Sequence, residues 1–171
     1  MKAVFVAVPA NVLSACWYAV IDHAVRRRGL QVLLCGGPSD AERAMGAAIE
    51  AAVRVPVRNI IGTDTLPQLL ALLARATVLI SPDSGPAHMA TMVGTPVIGL
   101  MAGTRSARSG PYLSQRWCVD RYDAAARKYR GRRGEQLPWI ETIEIPGVMD
   151  LIETEAVCAK LDELLATPLL R

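Results

Sequence analysis

Apolar residues along the chain follow two alternating rhythms. Short runs rich in β-branched and aliphatic residues occur at Lys2 to Val8, Leu30 to Cys35, Val78 to Ser81 and Val97 to Leu100, and Val57 to Ile61, interrupted by Arg58 and Asn59, reads as a further strand. They have the length and composition of strands buried on both faces. Between them the spacing becomes helical. Val12 to Arg28 repeats Leu13, Trp17, Val20, Ile21 and Ala24 at helical intervals and closes on Arg26, Arg27 and Arg28 before Gly29, a sound helix stop. Helices are likewise predicted over Ala41 to Val53 and over Leu66 to Ala76, the latter burying Leu66, Leu69, Leu70, Leu72 and Leu73 on one broad face. A last amphipathic helix runs from Thr154, its cap, to Ala166, with Val157, Leu161, Leu164 and Leu165 inward. This alternation implies βαβ crossovers and an α/β fold with a doubly wound, Rossmann-like parallel sheet.

In such sheets ligands bind outside the carboxyl ends of the strands, and there the chain carries its turns. The most informative is Ser81-Pro82-Asp83-Ser84-Gly85-Pro86-Ala87-His88. Asp83 and Ser84 suit an N-cap, Gly85 clears the first turn, Pro86 is tolerated there, and the helix runs on through Met92 to Gly94. A helix starting here presents unpaired N–H groups and the positive end of its dipole, which suits a phosphate. The same residues also read as an ordinary capped helix. His88 falls one turn beyond Ser84, on the same face.

Gly36-Gly37-Pro38-Ser39-Asp40 repeats that chemistry after the second strand. It is a candidate second wall of a nucleotide site, or simply a close strand-to-helix connection. The stretch Met101 to Gln115 is long for a connection inside a compact domain. Its Arg105 and Arg108 are placed to reach a pyrophosphate at the Ser84 helix, where a guanidinium fork matches phosphate geometry; the alternative is two solvated arginines on a loop.

At 171 residues, 51% of them hydrophobic, the chain can bury a core as a single domain. A net charge of +3, with no basic stripe interleaved with aromatics, argues against nucleic acid as a partner. The basic run Arg127 to Gly134 reads as a solvated face; the alternative is a surface that meets phosphates of an acceptor or the acidic surface of a partner domain. Cys16, Cys35, Cys118 and Cys158 show neither CxxC nor metal-ligand spacing and read as free thiols in a reducing compartment, with no metal site and no cofactor. No stretch has the length of a membrane span, so the cytoplasm is the expected location. An NAD-dependent oxidoreductase is disfavoured, because no G-x-G-x-x-G follows the first strand.

Asp83-Ser84-Gly85-Pro86-Ala87-His88-Met89-Ala90, followed by Gly94-Thr95-Pro96-Val97 and Leu100, resembles the signature of the heptosyltransferases, glycosyltransferase family nine. Gly110-Pro111-Tyr112 resembles a segment that follows the fifth strand in that family. The likeness runs from Val4 to Leu165. It implies that residues 1–171 form the C-terminal, donor-binding domain of a GT-B glycosyltransferase, with the N-terminal acceptor domain and its catalytic carboxylate absent from this sequence. The implied activity is transfer of heptose from ADP-heptose to the lipopolysaccharide inner core, without a metal. Ser84, Gly85 and the amides around Pro86 would hold the pyrophosphate, His88 would bond beside it, and Asp83 would meet sugar hydroxyls or cap the helix.

The implied partners are an ADP-heptose-like nucleotide sugar, a separate acceptor-binding domain or chain, and through it the lipopolysaccharide core. Peripheral association with the inner membrane goes with that reading. Two lysines of the family's donor site are Ala15 and Thr63 here. The isolated half is expected to bind ADP weakly and to lack turnover. A reading of a different class is a non-catalytic Rossmann-like interaction module that has lost nucleotide binding.

Overall fold

The computed structural model describes residues 3–7 and 14–168, apart from the side chains of 14–16. Of the residues named from the sequence, Lys2, Val8, Val12 and Leu13, with the side chains of Ala15 and Cys16, lie outside the described part.

Six strands form one sheet: β1 (Ala3–Ala7), β2 (Gln31–Cys35), β3 (Val57–Asn59), β4 (Val78–Pro82), β5 (Val97–Met101) and β6 (Val119–Asp120). Their order is β3-β2-β1-β4-β5-β6, and every neighbouring pair is parallel. The helices are α1 (Ser14–Asp22), α2 (Asp40–Ala52), α3 (Leu66–Leu73), α4 (Gly85–Met92), α5 (Ser106–Ser109), α6 (Tyr122–Arg130) and α7 (Thr154–Ala166). α1 runs directly into a π-helical turn, His23–Arg27.

The central strands β1, β4 and β5 read as nearly unbroken apolar runs because both faces of the sheet are covered, whereas the edge strand β3, with Arg58 and Asn59, is only partly buried. Val4, Val6, Val32, Leu34, Val78 and Ile80 point to one face and join Trp17, Ile21, Ile49, Ala125, Leu161 and Leu164 in a core. Phe5, Leu33, Cys35, Leu79 and Val97 point to the other and pack with Leu69 and Leu73 of α3 and Ala87 and Ala90 of α4. Each of these large side chains contributes about 1.5–3 kcal/mol by leaving water.

Three local expectations change. α3 ends at Leu73 and buries only Leu69 and Leu73, while Leu66 is 71% exposed. As an outer-layer helix it needs only a narrow apolar stripe. Glu153, rather than Thr154, is the N-cap of α7 and makes no side-chain cap bond. The stretch 101–115 is no open loop: it folds into α5 and enters a 3₁₀ turn, Tyr112–Trp117. Asp120 Oδ2 accepts from Ser106 N at 3.1 Å and Ser114 Oγ from Val97 N at 3.0 Å, fastening both pieces to the sheet.

From β1 the chain winds outward through β2 and β3, then crosses back to add β4, β5 and β6 on the other side. The reversal lies between β1 and β4. A crevice at such a switch point, outside the carboxyl ends, is where open α/β sheets receive ligands, and β4 delivers Asp83 and Ser84 to that edge.

Candidate functional site

At the end of β4 the chain turns within three residues. Ser81 is fully buried, and its hydroxyl donates to the Pro82 carbonyl at 2.9 Å. Ser84, the N-cap of α4, is extended at φ −159° and ψ 162° and makes no side-chain cap bond. Its Oγ instead lies 2.8 Å from Ser81 Oγ. Pro86 has no N–H, Ala87 N donates to Ser84 O at 3.1 Å, and the Gly85 N–H has no intrahelical partner by position. A Cβ on Gly85 would meet nothing within 4 Å. The helix therefore starts on open space, with its positive end bare.

Pro82, Asp83 and Ser84 form one wall of a cleft of about 640 Å³, a size ordinary for a small-molecule site. Leu100 near the end of β5, with Gly103 and Thr104 just after it, supplies its floor, and the segment from Ile143 to Met149 closes the far side. Asp83, Ser84, Thr104 and Glu144 are its polar groups, among the apolar side chains of Ile143, Ile145, Val148 and Met149.

That far wall has no counterpart in the sequence reading, since residues 134–149 show neither apolar period. The one available signal is Gly103. Its carbonyl accepts from Ile143 N at 2.8 Å, and a Cβ at this position would lie 3.0 Å from Ile143 O. A glycine lets the segment lie this close.

Arg105 and Arg108 are engaged differently from either sequence reading. The Arg105 guanidinium donates to the carbonyls of Gly134, Leu137 and Pro138 and lies over the rings of Tyr122, at 4.6 Å, and Trp139, at 5.7 Å. Arg108 donates to Ile140 O at 3.2 Å. Neither lines the cleft. A guanidinium amid several turn carbonyls is held there by charge-assisted bonds and stacking, so both arginines fasten the segment that becomes the far wall. Tyr122 and Tyr129 help, donating to Glu141 O at 3.0 Å and Gly147 O at 3.3 Å.

Of the remaining sequence candidates, His88 is exposed outside the cleft, its Nε2 3.9 Å from Asp83 Oδ1, beyond hydrogen-bond range. Gly36 and Gly37 share the carboxyl edge but sit two strands from β4, about 10 Å away at ordinary strand spacing. Gly36 O accepts from Gly62 N at 3.2 Å, so this turn ties β2 to the turn after β3. In the basic run, Arg127, Arg130 and Arg133 pair with Asp123, Glu141 and Glu135. Among the described residues no group of three His, Cys, Asp or Glu could hold a metal ion, and no helix is long and apolar enough to cross a membrane.

The sequence profile of glycosyltransferase family 9 (heptosyltransferase) matches residues 13–137. The lipopolysaccharide core heptosyltransferase OpsX of Haemophilus influenzae is 34% identical over 147 residues, which is 86% of this chain and 42% of that protein. Among solved structures, a family 9 glycosyl transferase from Veillonella parvula superposes with a TM-score of 0.71 at 20% identity, over 96% of this chain and 46% of its own. The ADP-heptose lipopolysaccharide heptosyltransferase II of Escherichia coli gives 0.69 at 20% identity, with the same coverage of 96% and 46%. The chain thus spans under half the length of the relatives it matches.

Proposed function

The chain belongs to glycosyltransferase family 9, and from that premise we propose that it is the donor-binding half of a heptosyltransferase, holding an ADP-heptose-like nucleotide sugar in the cleft beside Ser84. The observation that carries this reading is the turn Asp83-Ser84-Gly85-Pro86. It lies next to the switch point of the sheet and opens a bare helix start onto a cleft of about 640 Å³.

In transfer, the bond between the sugar's anomeric carbon and the diphosphate oxygen breaks, and the nucleoside diphosphate leaves with the electron pair. Charge grows on its oxygens, where the Gly85 N–H and the positive end of α4 act most strongly. The Ser84 hydroxyl turns from Ser81 to the phosphate. Asp83 and Glu144, which would repel phosphate, meet sugar hydroxyls, and Arg105 and Arg108 act through the wall they hold in place. The acceptor hydroxyl must also be held in line and deprotonated. That task falls to a separate acceptor-binding domain or chain, through which the lipopolysaccharide core is engaged. This half by itself binds donor and does not turn over.

Titration calorimetry with ADP and with UDP, on the parent chain and on Ser84→Glu, tests the reading. ADP binding that disappears in the variant supports it, because a carboxylate at the helix start repels phosphate. Binding of neither nucleotide would sink it and favour a Rossmann-like interaction module.

A further inference from the structure

Where the strands begin, on the edge opposite Ser84, three helices of one face approach each other. α1 ends there in the turn His23–Arg27, α2 ends at Ala52, and α7 brings Cys158 alongside. They enclose a cleft of about 560 Å³ lined by Tyr18, Asp22, His23, Arg26, Arg27 and Arg54, among others. Bonding from i to i+5 widens a π-helical turn, so residues four and five apart share a face. Asp22, His23, Arg26 and Arg27 all reach the same cleft in this way. π-helical turns of this kind often mark functional positions.

Three guanidinium groups and one carboxylate face this space. The carboxylate, Asp22, is taken by Arg26 at 2.7 Å. Asp162 of α7 is likewise taken, by His23 Nε2 at 2.7 Å and by Arg28. The side chains of Arg27 and Arg54 have no hydrogen bond or ion pair among the described residues, whereas those of Arg28, Arg121, Arg127, Arg130 and Arg133 each hold a carboxylate. Helix dipoles explain a cation at the end of each helix. They do not explain why two unpaired forks line one cleft.

We propose that this second cleft binds a phosphate group through Arg27 and Arg54, whose planar donor sets match phosphate oxygens in pairs. The phosphate is carried either by a soluble molecule or by a lipid headgroup. The inference is independent of the donor-site reading, because the two clefts share no residue.

The test titrates the full chain with inorganic phosphate, following the backbone amide resonances of residues 22–28 and 53–55. In parallel it measures co-sedimentation with phosphatidylglycerol and with phosphatidylcholine vesicles. Saturable shifts with phosphate identify a soluble ligand. Binding confined to phosphatidylglycerol vesicles identifies a headgroup. In either case Arg27→Glu with Arg54→Glu weakens binding at least about tenfold, while Arg58→Glu with Arg75→Glu, the same change in net charge outside the cleft, leaves it unaltered. No binding in either arm, or an equal loss in both double variants, overturns the proposal.

Discussion

Ser84 Oγ and Ser81 Oγ lie 2.8 Å apart, and the outer hydroxyl leans on the buried one rather than capping its own helix. The two serines should therefore respond differently to truncation. Ser81→Ala removes the fully buried hydroxyl together with its bonds to Pro82 O and Ser84 Oγ and should cost about 1–2 kcal/mol, whereas Ser84→Ala, at a partly exposed position, should cost less than about 0.5 kcal/mol. Urea unfolding of both variants reads the difference, and equal losses would mean that the pair is not organised this way.

Gly85 separates fold from ligand. Its added Cβ has no neighbour within 4 Å and its φ is not positive, so Gly85→Ala should keep or raise stability, by up to about 1 kcal/mol, by restricting the unfolded chain. The same methyl group enters the space at the helix start and should weaken ADP binding by about tenfold, on the order of 1.4 kcal/mol. Thermal unfolding and calorimetry on one preparation give both numbers.

Arg105 is expected to set the order of the cleft's far wall. Arg105→Ala removes bonds to the carbonyls of Gly134, Leu137 and Pro138 together with the ring contacts, and should cost about 2 kcal/mol. Amide exchange should accelerate in residues 134–149 and stay unchanged in β1 to β4. Uniform acceleration across the sheet would instead mean a global loss.

The acid limb of the stability profile should carry a contribution from Asp162. The bond from Arg28 holds its carboxyl below the usual range, opposed by partial burial and aided by His23. A carboxyl lowered in the folded state stabilises fully above its ordinary value and loses that contribution as pH falls through the lowered one. Asp162→Asn should thus be less stable than the parent at neutral pH, with the gap closing as pH falls below about 4. Unfolding midpoints across that window decide it, and a gap independent of pH would contradict the pairing.

Much of this architecture is legible in the chain's own pattern. Val4 and Val6 against Phe5, or Val32 and Leu34 against Leu33, read as unbroken runs because both faces are covered, and Asp83 to Pro86 announces a helix start at a strand end, though not that the Ser84 side chain leaves that start uncapped. The wall from Ile143 to Met149 is not legible. The segment leading into it is held by carbonyls of Leu137, Ile140 and Glu141 that accept from Arg105, Arg108 and Tyr122, and the wall itself by Gly147 O accepting from Tyr129; bonds to carbonyls leave no mark on the identity of the residues that accept them. Arg105 and Arg108 mislead for the same reason: a guanidinium fork suits turn carbonyls as well as it suits phosphate. Leu66 shows that apolar spacing exaggerates a helix's buried face where the helix covers only the outside of a sheet.

The reversal between β1 and β4 also orders events during synthesis. β1 pairs with β2 along one side and with β4 along the other, yet α1, β2, α2, β3 and α3 are all translated before β4 emerges. Until then Val4, Phe5 and Val6 present an apolar strand with an open hydrogen-bonding edge, the kind of surface that invites mispairing and chaperone capture. Val78, Leu79 and Ile80 are the residues that close it, so the seam at the switch point is a late, long-range join on the folding path.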